Sequence, residues 1–329
     1  MQIPRSNPGF SDSDRPPFSP LLAIAGGLVA FSSSSIMTRY AQAYAPSLVI
    51  AAFRLSLASA VLLPWMLLRY RPALRQLSRQ HLMLGLLSGG FLALHFALWI
   101  KSLEYTTVAS SLVLVATSPL FVALLSPLLL RETVSMPVRI GLALTLAGSV
   151  VVGLSDACSW QWGLACPALQ EFAAERAFHG DLLALGGAAA GAGYFLIGRR
   201  LRPSMALIPY IGLVYGAAAL LLAGSVAVGR LPAAGFPPIA YLWFALLAIV
   251  PQLLAHSTYN WALRYLPAAY VSVALLGEPV GSTILAYFLL GETPTLIKLG
   301  GGALILAGIL IASKRPLPGM SEVAAVNPG

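Results

Sequence analysis

One apolar segment of this chain is written twice. SVALLGEPVGSTILAYFLLGET, residues 272–293, is long enough to cross a bilayer, and LVLVATSPLFVALLSPLLLRET, residues 112–133, repeats its plan about 160 residues earlier. Pro119 answers Pro279, Glu132 answers Glu292, and Thr133 answers Thr293. The register runs on without a gap. Upstream, residues 102–105 match 262–265; downstream, Gly141 and Gly148 match Gly301 and Gly308. A chain with this self-similarity is two copies of one unit, and the unit has to be a membrane element.

The scarcity of charge leads to the same place. Only 9% of the residues are charged and 58% are hydrophobic, against roughly 25% charged in a soluble domain. Such a chain cannot cover a folded surface with water-compatible groups. The net charge of +9 does not point to nucleic acid, because the basic residues form no patch with interleaved aromatics. They stand in short clusters between apolar runs, as topogenic signals do. A spanning helix needs roughly 20 mostly apolar residues. Ten are predicted: 20–38, 46–68, 81–103, 106–130, 138–154, 181–198, 205–228, 237–262, 268–290 and 296–313. Residues 1–19 and 314–329 read as disordered cytoplasmic tails, the first lacking the apolar core of a cleavable signal.

With the N-terminus inside, the inner segments hold most of the Lys and Arg residues. The outer ones hold only Arg39, Lys101, Arg176, Arg230 and Lys298. Both termini are then cytoplasmic. An odd number of spans per copy makes the second copy enter from the opposite face. The expected fold is an all-α integral membrane protein of ten transmembrane helices, arranged as two inverted five-helix repeats over 20–154 and 181–313. Many secondary transporters are built on this plan, with the substrate near the midplane between repeats. A duplicated bundle serving only structure would show the same repeat. The outer loop, 155–180, carries the only two cysteines, Cys158 and Cys166, which on the oxidising side of a membrane suit a disulfide, free thiols being the alternative.

Polar groups inside the spans are few and costly. Gln252, His256 and Asn260 recur every fourth residue on the eighth span, where the first copy has Leu92, Phe96 and Ile100. The stripe therefore belongs to the second copy alone, as a cavity wall or as packing between helices. Glu278 lies roughly 15 Å deep and is either a protonatable coupling site or half of an ion pair. Arg54 lies roughly 12 Å deep, available to pair with Glu278 or to receive an anionic substrate group. His95 and Trp99 place polar and aromatic character on the third span, and Ser32 to Ser35, Tyr194, Tyr210 and Tyr215 are weaker candidates for the same vestibule. Pro119 and Pro279 would bend their helices by freeing a backbone carbonyl. Glu132 and Glu292 read as helix-start partners. The glycine pairs read as helix packing, a dimer contact being one place for it.

These residues resemble the drug/metabolite transporter superfamily, specifically its EamA-type ten-helix members. The similarity covers roughly 20–153 and 181–313 and is most specific in HSTYNWALRYLPAAYVSVALLGEPVGSTILAYFLLGE, residues 256–292. Arg54 and the prolines of the fourth and ninth spans fit it too. The first copy departs from it, with Thr117-Ser118-Pro119 where the second has Gly277-Glu278-Pro279. The resemblance implies an inner-membrane carrier, mostly of exporter type, for amino acids, metabolites or drugs. It also implies a cavity lined by the first four helices of each copy, with the fifth and tenth peripheral. The expectation is an alternating-access exporter of small polar metabolites, with proton coupling one option, no cofactor or metal, and a monomer or homodimer in the bilayer. An intramembrane enzyme or a non-transporting receptor or scaffold is the alternative; an enzyme would need more than His256 and Glu278, and no HExxH or GxSxG pattern is present.

Overall fold

The computed structural model describes residues 16–17, 19–106, 108–131, 134–157, 159–160, 164–165, 176–291 and 296–313. The first half holds α1 (Pro20–Ser32 and Ser34–Gln42), α2 (Ser47–Arg69), α3 (Arg79–Ser102), α4 (Val108–Val115 and Ser118–Leu129) and α5 (Met136–Ala157). The second half holds α6 (Arg176–Leu201), α7 (Leu207–Val228), α8 (Pro238–Leu247, Ala248–His256 and Ser257–Ala262), α9 (Ala268–Ala274 and Glu278–Leu290) and α10 (Leu296–Ser313). Among the described residues eight of these helices are long and apolar enough to cross a membrane, and α5 and α10 carry the shorter apolar stretches Met136–Gly148 and Leu299–Ala312. Their ends follow local chemistry. Pro20 and Pro238 occupy first turns, Ser78 Oγ accepts the His81 N–H at 3.1 Å to cap α3, and Gly291 at φ 70° closes α9. Large apolar side chains such as Leu68, Leu128, Leu220 and Val228 point outward. In water that would be a liability; in lipid it is solvation.

The two halves pack through matched pairs. α5 lies on α10, α2 on α7, and the contact of α3 with α6 is repeated by that of α8 with α1. A Cβ on Gly141 would lie 2.5 Å from the Gly308 carbonyl oxygen, and one on Gly148 would lie 2.5 Å from that of Gly301. Residue numbers therefore rise along α5 as they fall along α10, so these counterparts run antiparallel. Only a two-fold axis across the helices does this, which is the inverted relation. The same geometry corrects one expectation. The glycines do serve close packing, but they face each other inside one chain, where a second copy cannot reach them. Gly27 against the Tyr259 ring and Gly187 against Trp99 N make a second matched pair, with a Cβ at 3.0 and 3.3 Å.

Four helices lose regularity along their length, α1 among them with its break at Ser33. α4 is interrupted just before Ser118-Pro119, and α9 tightens into a 3-10 turn, Leu275–Gly277, just before Glu278-Pro279. Proline has no N–H to continue the ladder. In α8 the turn widens to i→i+5 hydrogen bonding over Ala248–His256, which contains Pro251. A short hairpin, β1 (Ser159–Trp160) with β2 (Leu164–Ala165), follows α5 and pairs Ser159 with Ala165. Cys158, Cys166, Glu132, Glu292, residues 1–15 and residues 314–329 lie outside the described residues.

Candidate functional site

The breaks in α4 and α9 open onto one pocket between the halves. Phe31 and Ser34 of α1, Arg54 of α2, and His95, Phe96 and Trp99 of α3 line it from the first half, with Ser118 and Pro119 of α4. Tyr194 of α6, His256 of α8, and Glu278 and Pro279 of α9 close it from the second. Neither α5 nor α10 contributes, and α7 is also absent from the lining, where the resemblance implied its presence. Instead α7 stands behind α8, with Tyr215 Oη donating to the Gln252 carbonyl at 3.4 Å. The space is tight at about 50 Å³, room for the centres of a few waters.

Arg54 is fully buried and held on three sides. Its Nε donates to Gln252 Oε1 at 2.9 Å, its Nη1 donates to Ser34 Oγ at 2.9 Å, and its guanidinium carbon sits 4.2 Å from the Phe96 ring centroid. The structural ion pair with Glu278 considered from the sequence is not formed: both side chains line the pocket, but no salt bridge joins them. The polar stripe of α8 divides in the same way. His256 reaches the pocket, Gln252 holds Arg54, and Asn260 donates from Nδ2 to the Tyr194 hydroxyl and to the His256 carbonyl at 2.8 Å. Fourth-residue spacing groups the three along the helix, but of them only His256 lines the pocket.

Phe96 and His256 occupy equivalent positions in the two copies, and their rings meet edge to face at 5.3 Å. Counterparts touch only near the two-fold axis, so the pocket straddles it. His95 stacks on Trp99, and its Nδ1 is 2.8 Å from the Gly187 carbonyl oxygen. A carbonyl only accepts, so Nδ1 carries the proton and Nε2 is left as an acceptor. Among the pocket-lining side chains, Arg54 Nη2, Trp99 Nε1 and His256 Nδ1 are buried without a hydrogen-bond partner, and behind them Gln252 Nε2 and Asn260 Oδ1 are unpaired too.

Beyond the pocket, matched polar contacts that sequence reasoning missed tie helix ends together within each half. At one end Arg39 donates to the Thr106 carbonyl at 2.9 Å, and Gln42 Nε2 donates to the Ile100 carbonyl at 2.9 Å. At the other, Arg199 Nη1 donates to the Leu263 carbonyl at 2.9 Å and Arg202 Nε to the Asn260 carbonyl at 2.8 Å. Burial pulls the Arg202 guanidinium down to about 10, still charged at neutral pH. The signal was present: Arg39 and Arg199, Gln42 and Arg202, and Ile100 and Asn260 are equivalent in the repeat register. Phe96 had no such signal, since an apolar residue on an apolar helix announces nothing.

The model of the EamA-like transporter family matches the chain twice, over residues 18–154 and 178–314. An "uncharacterized transporter" of Archaeoglobus fulgidus is 37% identical over 73 residues, which is 22% of this chain and 27% of that protein. The matched part thus spans about a quarter of that curated relative. A solved crystal structure superposes with a TM-score of 0.70 at 21% identity, covering 89% of this chain and 96% of the other. At that identity it speaks for the fold.

Proposed function

This chain belongs to the EamA-like transporter family, and on that premise we propose that it is a secondary transporter, an exporter of small polar metabolites such as amino acids, working by alternating access. The observation that carries this reading is the buried pocket, mostly apolar but holding Arg54, His95, His256 and Glu278, where helices of both inverted halves break. Irregular backbone at membrane depth is tolerated where it is buried in protein or lines a cavity, and carriers use such breaks to meet substrates. In this reading Arg54, His256, His95 and Trp99 meet the solute, and Gln252 and Asn260 hold those groups in position. Glu278 is the coupling candidate, and Pro119 and Pro279 are the bend points. The two ends open alternately, both termini face the cytoplasm, and the host is the inner membrane.

Proteoliposomes test the proposal. A mixture of labelled amino acids and other polar metabolites should equilibrate faster across vesicles holding the protein than across empty ones, and no accelerated solute in either direction overturns it. Within a working assay, a wild-type rate and pH dependence in Glu278→Gln removes that residue from the mechanism.

A further inference from the structure

We infer that the solute carried here presents a carboxylate, and that this group docks on the open edge of Arg54 together with the indole N–H of Trp99. The inference rests on the carrier reading and narrows it to a chemical class.

Arg54 has five N–H donors in a rigid fork and no acceptor. Gln252 and Ser34 engage Nε and Nη1, and Phe96 covers a face, so the guanidinium cannot turn to find another partner. Nη2 is left buried and unbonded. Trp99 Nε1 is also a donor only; its side chain is 3% exposed, it has no partner, and its ring lies 5.9 Å from the Arg54 guanidinium carbon. Buried donors without acceptors are costly. Both side chains line the same pocket. Glu278 lines the same pocket but bonds neither donor, so what these two N–H groups lack is a pair of acceptor oxygens a short distance apart. A carboxylate supplies this, one oxygen for each donor, in the planar geometry that arginine favours.

The asymmetry of the two broken helices fixes the polarity. Glu278 begins the second half of α9, so an acid already occupies that N-terminus. The equivalent half of α4 begins at Ser118-Pro119 with no acid, and both residues line the pocket. Its positive end favours an anion. One guanidinium edge balances one negative charge, and Glu278 in the same small space disfavours a second. The site therefore suits a monocarboxylate end, not a phosphate dianion.

Purified full-length protein in nanodiscs tests this by calorimetric titration with two isosteric pairs, 4-methylpentanoate against 4-methylpentanamide and L-leucine against L-leucinamide. Each acid should bind at least about tenfold more tightly than its amide. That ratio should fall below about threefold in Arg54→Gln, and to an intermediate value in Trp99→Phe, which removes only the N–H and keeps a ring. If Arg54→Gln does not fold, the wild type and Trp99→Phe still decide. Amides binding as well as acids, neither acid binding, or an unchanged ratio in the variants overturns the inference. Flux without acid preference would sink this inference and spare the carrier. Acid-selective binding without flux of any solute would sink the carrier reading and leave the docking site standing.

Discussion

Gly141→Ala should destabilise the protein by forcing apart the two helices on the two-fold axis. The new Cβ would stand 2.5 Å from the Gly308 carbonyl oxygen and 2.8 Å from the Ala312 Cβ. Carbon and carbonyl oxygen settle at about 3.3 Å or more, so α5 and α10 must separate locally by about 0.8 Å. The oxygen is fixed in helical backbone and cannot rotate away. Overpacking of this kind costs about 1–3 kcal/mol. Gly308→Ala meets the reciprocal obstacle, 2.6 Å from the Gly141 oxygen and 2.7 Å from Thr145 Cγ2. One displacement relieves both clashes, so the double variant should cost less than the sum of the singles, as coupled neighbours do. Gly300→Ala on the same α10 is the control: a Cβ there meets nothing within 4 Å, and alanine should be neutral or stabilising by about 0.4–1 kcal/mol. Thermal unfolding in detergent, repeated across a dilution series, reads all four proteins. If Gly141→Ala melts with Gly300→Ala, or if its loss depends on protein concentration, the intrachain crossing is wrong and the glycines meet a second copy.

The matched polar contacts predict opposite effects at opposite ends. Arg202→Gln should raise hydrogen exchange around Asn260 and Met205 and spare Ile100, and Gln42→Ala should do the reverse; the arginine effect should be larger, since charge-assisted bonds contribute about 1.5–3 kcal/mol against 0.5–1.5 for neutral ones. Glu104, in the turn after α3, adds a pH dependence. Burial pushes its carboxyl up, but Lys101 at 2.5 Å and Ser47 N–H at 3.3 Å outweigh that and hold it below the usual 4.5. A depressed carboxyl stabilises the fold above its unfolded value and loses that contribution as pH falls through the folded one. Exchange at the Ser47 end should therefore rise below about pH 4.5, and Glu104→Gln should flatten the rise. The disulfide expected from the sequence between Cys158 and Cys166 would be refuted by an alkylation mass shift without reductant.

The register of Pro119 with Pro279 and of Gly141 and Gly148 with Gly301 and Gly308 determined, from sequence alone, a doubled membrane unit of five helices turned over on itself. Hydrophobic periodicity and repeat spacing are one-dimensional properties, written in neighbouring residues and readable there. What Arg54 touches is not. Its partners Gln252, Ser34 and Phe96 come from three other helices, and no local pattern says which residue of α8 will meet it. Only the tertiary structure decided that Arg54 bonds an amide rather than Glu278, that the glycines meet inside one chain, and that matched polar contacts tie the helix ends of each half. Each of those outcomes depends on distances between segments far apart in the sequence, and side chains acquire such distances only when the two inverted halves pack.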